Sequence, residues 1–232
     1  MIGFAQIALG VGEAVSCTRC SARAESVMHP AEQVAEQIAA VAAGWRGGPG
    51  PNLAFVGAEP FAHPALPALI TAAVDAGCER IRLRTDGGAL ALSGNAEGAF
   101  RAGVRHIELV LLASDAGTHD ALSGRQGLFA TAVAGAAAFT AVARDAGQPV
   151  AITGYVPVCR HVEPHLPALI AAFARMGAAA VLAEPVDGHE PAASVRAATR
   201  QAATAAGIAL MGCGFSRFDA APWHEVDAEV TR

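Results

Sequence analysis

The sequence predicts an α/β domain of parallel strands joined by helices, and three observations carry that prediction. Short apolar runs recur at strand length, longer stretches of helical periodicity separate them, and a glycine stands just past most of those stretches. Alternating strands and helices imply a parallel sheet with right-handed crossovers. About six strand–helix units make either a partial barrel or an open doubly wound sheet, and periodicity alone does not choose between them.

The strand-length runs are Phe4–Val11, Leu53–Val56, Arg80–Arg84, His106–Leu112, Val150–Val156, Ala179–Ala183 and Gly207–Met211. Most are rich in Val, Ile, Leu or Phe with little polar alternation, the pattern of strands covered on both faces. Between the first two lies His29–Trp45, a helical stretch opened by Pro30, with Val34, Ile38 and Val41 on one stripe. Pro64–Ala76 stops at Gly77, and residues 89–102, with Gly94 and Gly98, predict a short or distorted helix. Leu128–Asp145, Pro164–Met176 and Ala192–Ala206 stop at Gly147, Gly177 and Gly207, each a C-cap signal. The segment Arg46–Asn52 (RGGPGPN) reads as a helix–strand loop, so no internal domain boundary is expected.

All 16 basic residues are Arg. Without Lys there is no P-loop lysine, no Schiff-base lysine and no internal aldimine for pyridoxal phosphate. A net charge of −5 gives no footprint for nucleic acid, and no basic cluster marks a membrane surface. The opening MIGFAQIALGVGEAV lacks a basic n-region and carries Glu13, so it does not read as a signal peptide. The uncharged run from Gln126 to Ala143 is Ala-rich and reads as a buried or half-buried helix. A cytoplasmic chain is the expectation, with its five cysteines as reduced thiols or metal ligands.

In either architecture ligands meet the loops that follow the strands, and those loops hold the unusual residues. Glu13, Cys17 and Cys20 follow the first strand. Gly57, Ala58, Glu59 and Pro60 follow the second, with His63 and Pro64 beyond. Thr85, Asp86 and Gly87 follow the third, Ser114 and Asp115 the fourth, and Tyr155 ends the fifth, with Cys159 just after it. Cys17–Cys20 reads as a cluster fragment, a zinc half-site or a redox pair. Glu59 reads as a ligand for a cationic amine or as a solvated loop carboxylate, and Tyr155 as a pocket residue or barrel packing. His63 and His119 read as structural or exposed. An ordinary hydrolase or aldolase would need a base, nucleophile or metal set that these loops do not display.

The order of these loops resembles the radical S-adenosylmethionine (radical SAM) core domain. Gly57-Ala58-Glu59-Pro60 is similar to that family's GGEP turn, with Ala for one Gly, and Thr85-Asp86-Gly87 to its TNG, with Asp for Asn. Gly103-Val104, His119-Asp120 and Gly124–Phe129 resemble further family features, so the likeness spans roughly residues 4–185. Cys17 and Cys20 match the second and third cysteines of CxxxCxxC, while Glu13 stands at the first.

The resemblance implies an α/β partial (β/α)6 TIM-like barrel with parallel strands. It implies one such domain over 1–232, with 207–232 as a C-terminal extension. It also implies a [4Fe–4S] cluster on Cys17, Cys20 and Glu13, or on another thiolate. Cys159 and Cys213 lie near strand ends, whereas Cys78, just before the third strand, lies at the wrong end and reads as core. SAM would be bound through the open iron, its amine at Gly57, Ala58, Glu59 and Pro60, with Thr85, Asp86, Ser114, Asp115 and Tyr155 completing the cofactor site. Cluster reduction would then yield a 5′-deoxyadenosyl radical acting on a small-molecule or peptide substrate. The alternative is a degenerate, non-catalytic relative that serves as a binding subunit for a protein partner.

Overall fold

The computed structural model describes residues 4–20, 26–46, 50–186 and 188–212. Seven strands form one parallel sheet: β1 (Phe4–Ala8), β2 (Asn52–Val56), β3 (Arg80–Thr85), β4 (Val104–Val110), β5 (Ala151–Val158), β6 (Ala180–Pro185) and β7 (Ala209–Met211). Their order in space is their order in the chain. Every crossover therefore steps the same way, and a constant right hand puts all the connecting helices on one face. The sheet curls away from them into a half-barrel with β1 and β7 as its two edges.

The helices are α1 (Ala31–Gly44), α2 (Leu66–Asp75), α3 (Asn95–Ala102), α4 (Ala116–Ser123), α5 (Leu128–Asp145), α6 (Leu166–Arg175) and α7 (Ala193–Ala206). The stops read from glycine hold; α7, for example, ends at Gly207 with φ of 65°. The distorted third helix is a 3₁₀ turn (Ala89–Ala91) followed by the eight residues of α3. Helix α4 falls in what the sequence suggested was loop. Asp115 caps it by accepting a hydrogen bond from the Thr118 amide at 2.9 Å.

Side chains on a strand alternate between faces, and the two faces of this sheet differ. The outer one is apolar: Leu53, Phe55, Ile81, Leu83, Ile107, Leu109, Val156 and Val181 are buried there. The inner face carries Arg82, Arg84, His106, Glu108, Thr153 and Tyr155, all buried. Register places them side by side, Arg82 opposite His106, Arg84 opposite Glu108, and Glu108 opposite Thr153. The expectation of strands apolar on both faces thus gives way, on β3 to β5, to a polar lumen.

Arg82 Nη1 and Arg84 Nε donate to the two oxygens of Glu108 at 2.9 and 2.8 Å. Arg82 Nε also donates to His106 Nδ1, and His106 Nε2 lies 2.8 Å from Thr153 Oγ1. Buried charge is tolerable only when paired and hydrogen-bonded in this way. Burial alone would raise the Glu108 pKa, but the two guanidiniums overcome it and hold the carboxyl below its usual range.

Helix α5 is long and apolar enough to cross a membrane by length and composition. In the fold it lays one stripe inward: Leu128, Ala132, Ala136, Phe139 and Ala143 are buried. That spacing of three and four is the pattern of a core helix. Its Gly135 lies so close to the turn after β3 that a Cβ there would meet the Gly87 carbonyl oxygen at 2.0 Å.

Candidate functional site

The cysteine loop leaves β1 through a two-residue hairpin, Gly10–Val11 paired antiparallel with Val27–Met28. The predicted strand Phe4–Val11 is therefore two pieces, broken at Leu9. A hydrogen bond from the Leu9 amide to the Val56 carbonyl (3.0 Å) holds the base of this loop against β2. Within the loop the Cys20 amide donates to the Cys17 carbonyl at 3.0 Å, a single turn that brings the two thiol positions together. Thr18 donates from both its amide and its hydroxyl to the Leu122 carbonyl, pinning that turn to the end of α4.

Cys159 arrives from the far side, directly after β5. Its carbonyl accepts from the amides of Val162 (2.9 Å) and Glu163 (2.8 Å), which fixes its backbone. Cys20 and Cys159 are joined in a disulfide, with Cα atoms 6.4 Å apart. Cys17 is a free, buried thiol, and the Sγ atoms of Cys17, Cys20 and Cys159 all lie within 4.8 Å of one another. Of the cysteines expected as reduced thiols or metal ligands, Cys17 and Cys78 are free, whereas Cys20 and Cys159 are paired in this structure. Residues so distant in sequence meet because the curled sheet carries the end of β5 toward that of β1. Cys78 is buried in the core, as expected from its place before β3, and burial raises its pKa. Cys213 lies outside the described residues.

The three cysteines share a cavity of about 280 Å³ with Glu13, Tyr155 and Glu184. Tyr155 donates to Glu184 Oε2 at 2.8 Å, and its ring lies 3.7 Å beneath the Arg84 guanidinium. Arg84 Nη1 is also 3.9 Å from Glu184. The polar lumen thus rises to the cavity floor through Arg84. Burial raises the Glu13 pKa, with Arg84 opposing and Glu184 adding to the rise, and burial raises that of Tyr155 as well.

A second constellation stands beside the first. Gly57 adopts φ of 84°, and a Cβ on it would meet the Gly10 carbonyl oxygen at 2.6 Å, so this turn demands glycine on both counts. Ala58 is fully buried, and Pro60 opens a 3₁₀ turn (Pro60–Ala62) capped by Glu59. Glu59 Oε1 accepts from the Phe61 amide (3.2 Å) and Thr85 Oγ1 (2.7 Å), and Oε2 from the Asp86 amide (2.8 Å). One carboxylate therefore clips the turn after β2 to the turn after β3. Burial, then the Asp86 carboxylate, push the Glu59 pKa up to about 7 against the pull of those three hydrogen bonds. Asp86 in turn accepts from the Gly88 amide and pairs with Arg125.

His63 couples the two constellations. Its Nδ1 accepts from the Ala65 amide, so Nε2 carries the proton and donates to the His29 carbonyl at the base of the cysteine loop (3.0 Å). His119 Nδ1 accepts from the Leu112 amide, and burial lowers its pKa to about 4. Asp120 accepts from the amides of Gly127 and Phe129 and caps α5. These residues hold the loops. Ser114 is half-buried between β4 and α4, and Asp115 caps α4.

The lumen residues Arg82, Arg84, His106 and Glu108 were missed in the sequence. A signal existed in Arg80-Ile-Arg-Leu-Arg84, where charge repeats every second residue, the period of one strand face.

A half-barrel of strands in chain order, with a cysteine loop, a Gly-Ala-Glu-Pro turn and a Thr-Asp-Gly turn at successive strand ends, has the fold of the radical SAM core domain. Among solved structures, the chain is similar to Streptococcus suis SuiB bound to its precursor peptide SuiA, with TM-score 0.67 and 11% identity over 91% of this chain and 49% of SuiB. It is also similar to anSMEcpe with bound AdoMet, with TM-score 0.62 and 12% identity over 89% of this chain and 61% of that one. A third is TsrM from Kitasatospora setae, a radical S-adenosylmethionine methyltransferase with cobalamin and a [4Fe–4S] cluster bound, with TM-score 0.51 and 14% identity over 79% of this chain and 36% of TsrM. At these identities the likeness is one of fold, and the chain spans about half the length of SuiB. No family model and no curated protein sequence matches the chain.

Proposed function

We propose that this chain is the core of a radical SAM enzyme, one that binds a [4Fe–4S] cluster and SAM and modifies a peptide or small molecule. The carrying observation is the coupling of the cysteine loop to the Glu59 turn. His63 and the Gly57–Gly10 contact make them one unit at the C-terminal ends of β1 and β2. The donor set fits the cofactors: soft thiols beside a cavity suit an iron–sulfur cluster, and a buried carboxylate suits an ammonium group. Held by the thiolates, a reduced cluster would supply the electron for splitting SAM into methionine and a 5′-deoxyadenosyl radical.

The chain's own residues then bind and orient. Glu59, held by Thr85 and Asp86, receives the SAM amine with the backbone of Gly57, Ala58 and Pro60 around it. Ser114 and the second oxygen of Asp115, whose first oxygen caps α4, receive ribose hydroxyls. Tyr155 and Glu184 line the substrate side of the cavity, fixed by Arg84. The cysteines line one side of that cavity, where the cluster would sit, so a peptide side chain or a small molecule would approach from the side of Tyr155 and Glu184. SuiB with its precursor peptide, and TsrM with tryptophan, represent these two substrate classes. The acidic chain offers nothing to nucleic acid, and the cytoplasm, where thiols stay reduced, is the compartment that suits this chemistry. The test is anaerobic incubation of the reconstituted protein with dithionite and SAM. Formation of 5′-deoxyadenosine is expected; its absence, together with no SAM binding by calorimetry, contradicts the reading.

A further inference from the structure

We infer that Cys159 is the third protein ligand of the cluster, so that one thiolate comes from the segment directly after β5 rather than all three from a single loop. The inference rests on the cluster reading above and names its ligand set. A site-differentiated cluster needs three protein ligands, leaving one iron open. The loop supplies Cys17 and Cys20, and Glu13 stands where a third cysteine would be expected. The fold answers the shortage from elsewhere, because the Cys159 Sγ joins those of Cys17 and Cys20 within 4.8 Å. Glu13 lines the same cavity but is not part of that group. Its carboxylate is also the harder donor, the poorer match for iron bound to sulfide.

Burial supports the assignment. Cys17 and Cys159 are each 4% exposed, and Cys17 is a free thiol held against a disulfide. A disulfide staple would need only two of the three, whereas a three-thiolate ligand set uses all of them. The disulfide and the cluster are alternative states of one pair. Opening Cys20–Cys159 takes two electrons and two protons, which a dithiol supplies by exchange, becoming a cyclic disulfide and leaving two thiols. Cluster binding then takes all three groups as thiolates and releases their protons.

The experiment uses the full chain, reduced anaerobically with dithiothreitol, reconstituted with iron and sulfide, and desalted. Wild type, Cys159→Ser, Glu13→Gln, Cys78→Ser and Cys213→Ser are compared by iron and sulfide content. Wild-type protein is also alkylated with iodoacetamide before and after reconstitution, and each cysteine is read by mass spectrometry. The expected result is about four irons in wild type and the other three variants, and at least a roughly fivefold loss in Cys159→Ser. Cys17, Cys20 and Cys159 become protected from alkylation together. Full iron in Cys159→Ser, or loss in Glu13→Gln or Cys213→Ser with Cys159 still alkylated, overturns the ligand assignment alone. No iron in wild type, or zinc in its place, overturns the cluster reading itself.

Discussion

Cys20 and Cys159 stand 139 residues apart in the chain and 6.4 Å apart at their Cα atoms. The half-barrel makes that meeting possible, because successive strands added on one side bend the end of β5 round toward the loop after β1. The bond closes a long loop, and a loop of 139 residues corresponds to about 5 kcal/mol of chain entropy removed from the unfolded state. Metal-free protein is therefore expected to lose up to about that much stability on reduction. Urea unfolding with and without dithiothreitol measures the loss, and an unchanged midpoint contradicts it.

The pH dependence of SAM binding follows from Glu59. With its pKa pushed up to about 7, the free carboxyl is half protonated near neutrality, and an ammonium ligand favours the ionised form. Affinity therefore rises through pH 7 and falls by up to about tenfold per unit as pH drops below it. Calorimetric titration of SAM across pH 5.5 to 8.5 checks this, and a flat profile removes Glu59 from the amine site.

Glu108 is the keystone of the lumen. Glu108→Gln removes the buried carboxylate that bonds both Arg82 and Arg84, and is expected to cost about 3–5 kcal/mol in denaturant unfolding. The sign with pH is fixed too. A folded-state pKa below the ordinary value gives stability that is present above that value and lost as pH falls through the folded one. Wild type should weaken steeply in acid, and Glu108→Gln should weaken less.

At Gly57 an alanine would suffer both a left-handed backbone and a Cβ 2.6 Å from the Gly10 carbonyl oxygen. Backbone conformation alone costs about 1–2 kcal/mol. Gly57→Ala is therefore expected to lower stability by at least that and to weaken SAM binding, since the turn must move. Equal affinity in the variant would detach this turn from the cofactor.

Much of the fold was legible because it is written in local terms. Glycine stops and apolar stripes marked five helices, and the Gly-Ala-Glu-Pro and Thr-Asp-Gly turns marked where two strands end. What escaped is what depends on curvature. A strand such as Arg80–Thr85 looks the same from its sequence whether its second face meets helices or a lumen, so the Arg82–Glu108–Arg84 cluster was not foreseen. The partnership of Cys159 with Cys17 was legible only as a shared end of the sheet. Helix α4 was hidden by Gly117, although Asp115 carried its capping signal.

Low-temperature EPR of the anaerobically reconstituted, dithionite-reduced protein, recorded with and without SAM, reads cluster and cofactor binding together. A [4Fe–4S]⁺ signal that shifts when SAM is added is expected, because SAM would bind at the cluster. A protein that holds no iron after repeated anaerobic reconstitution, or a signal indifferent to SAM, would contradict it.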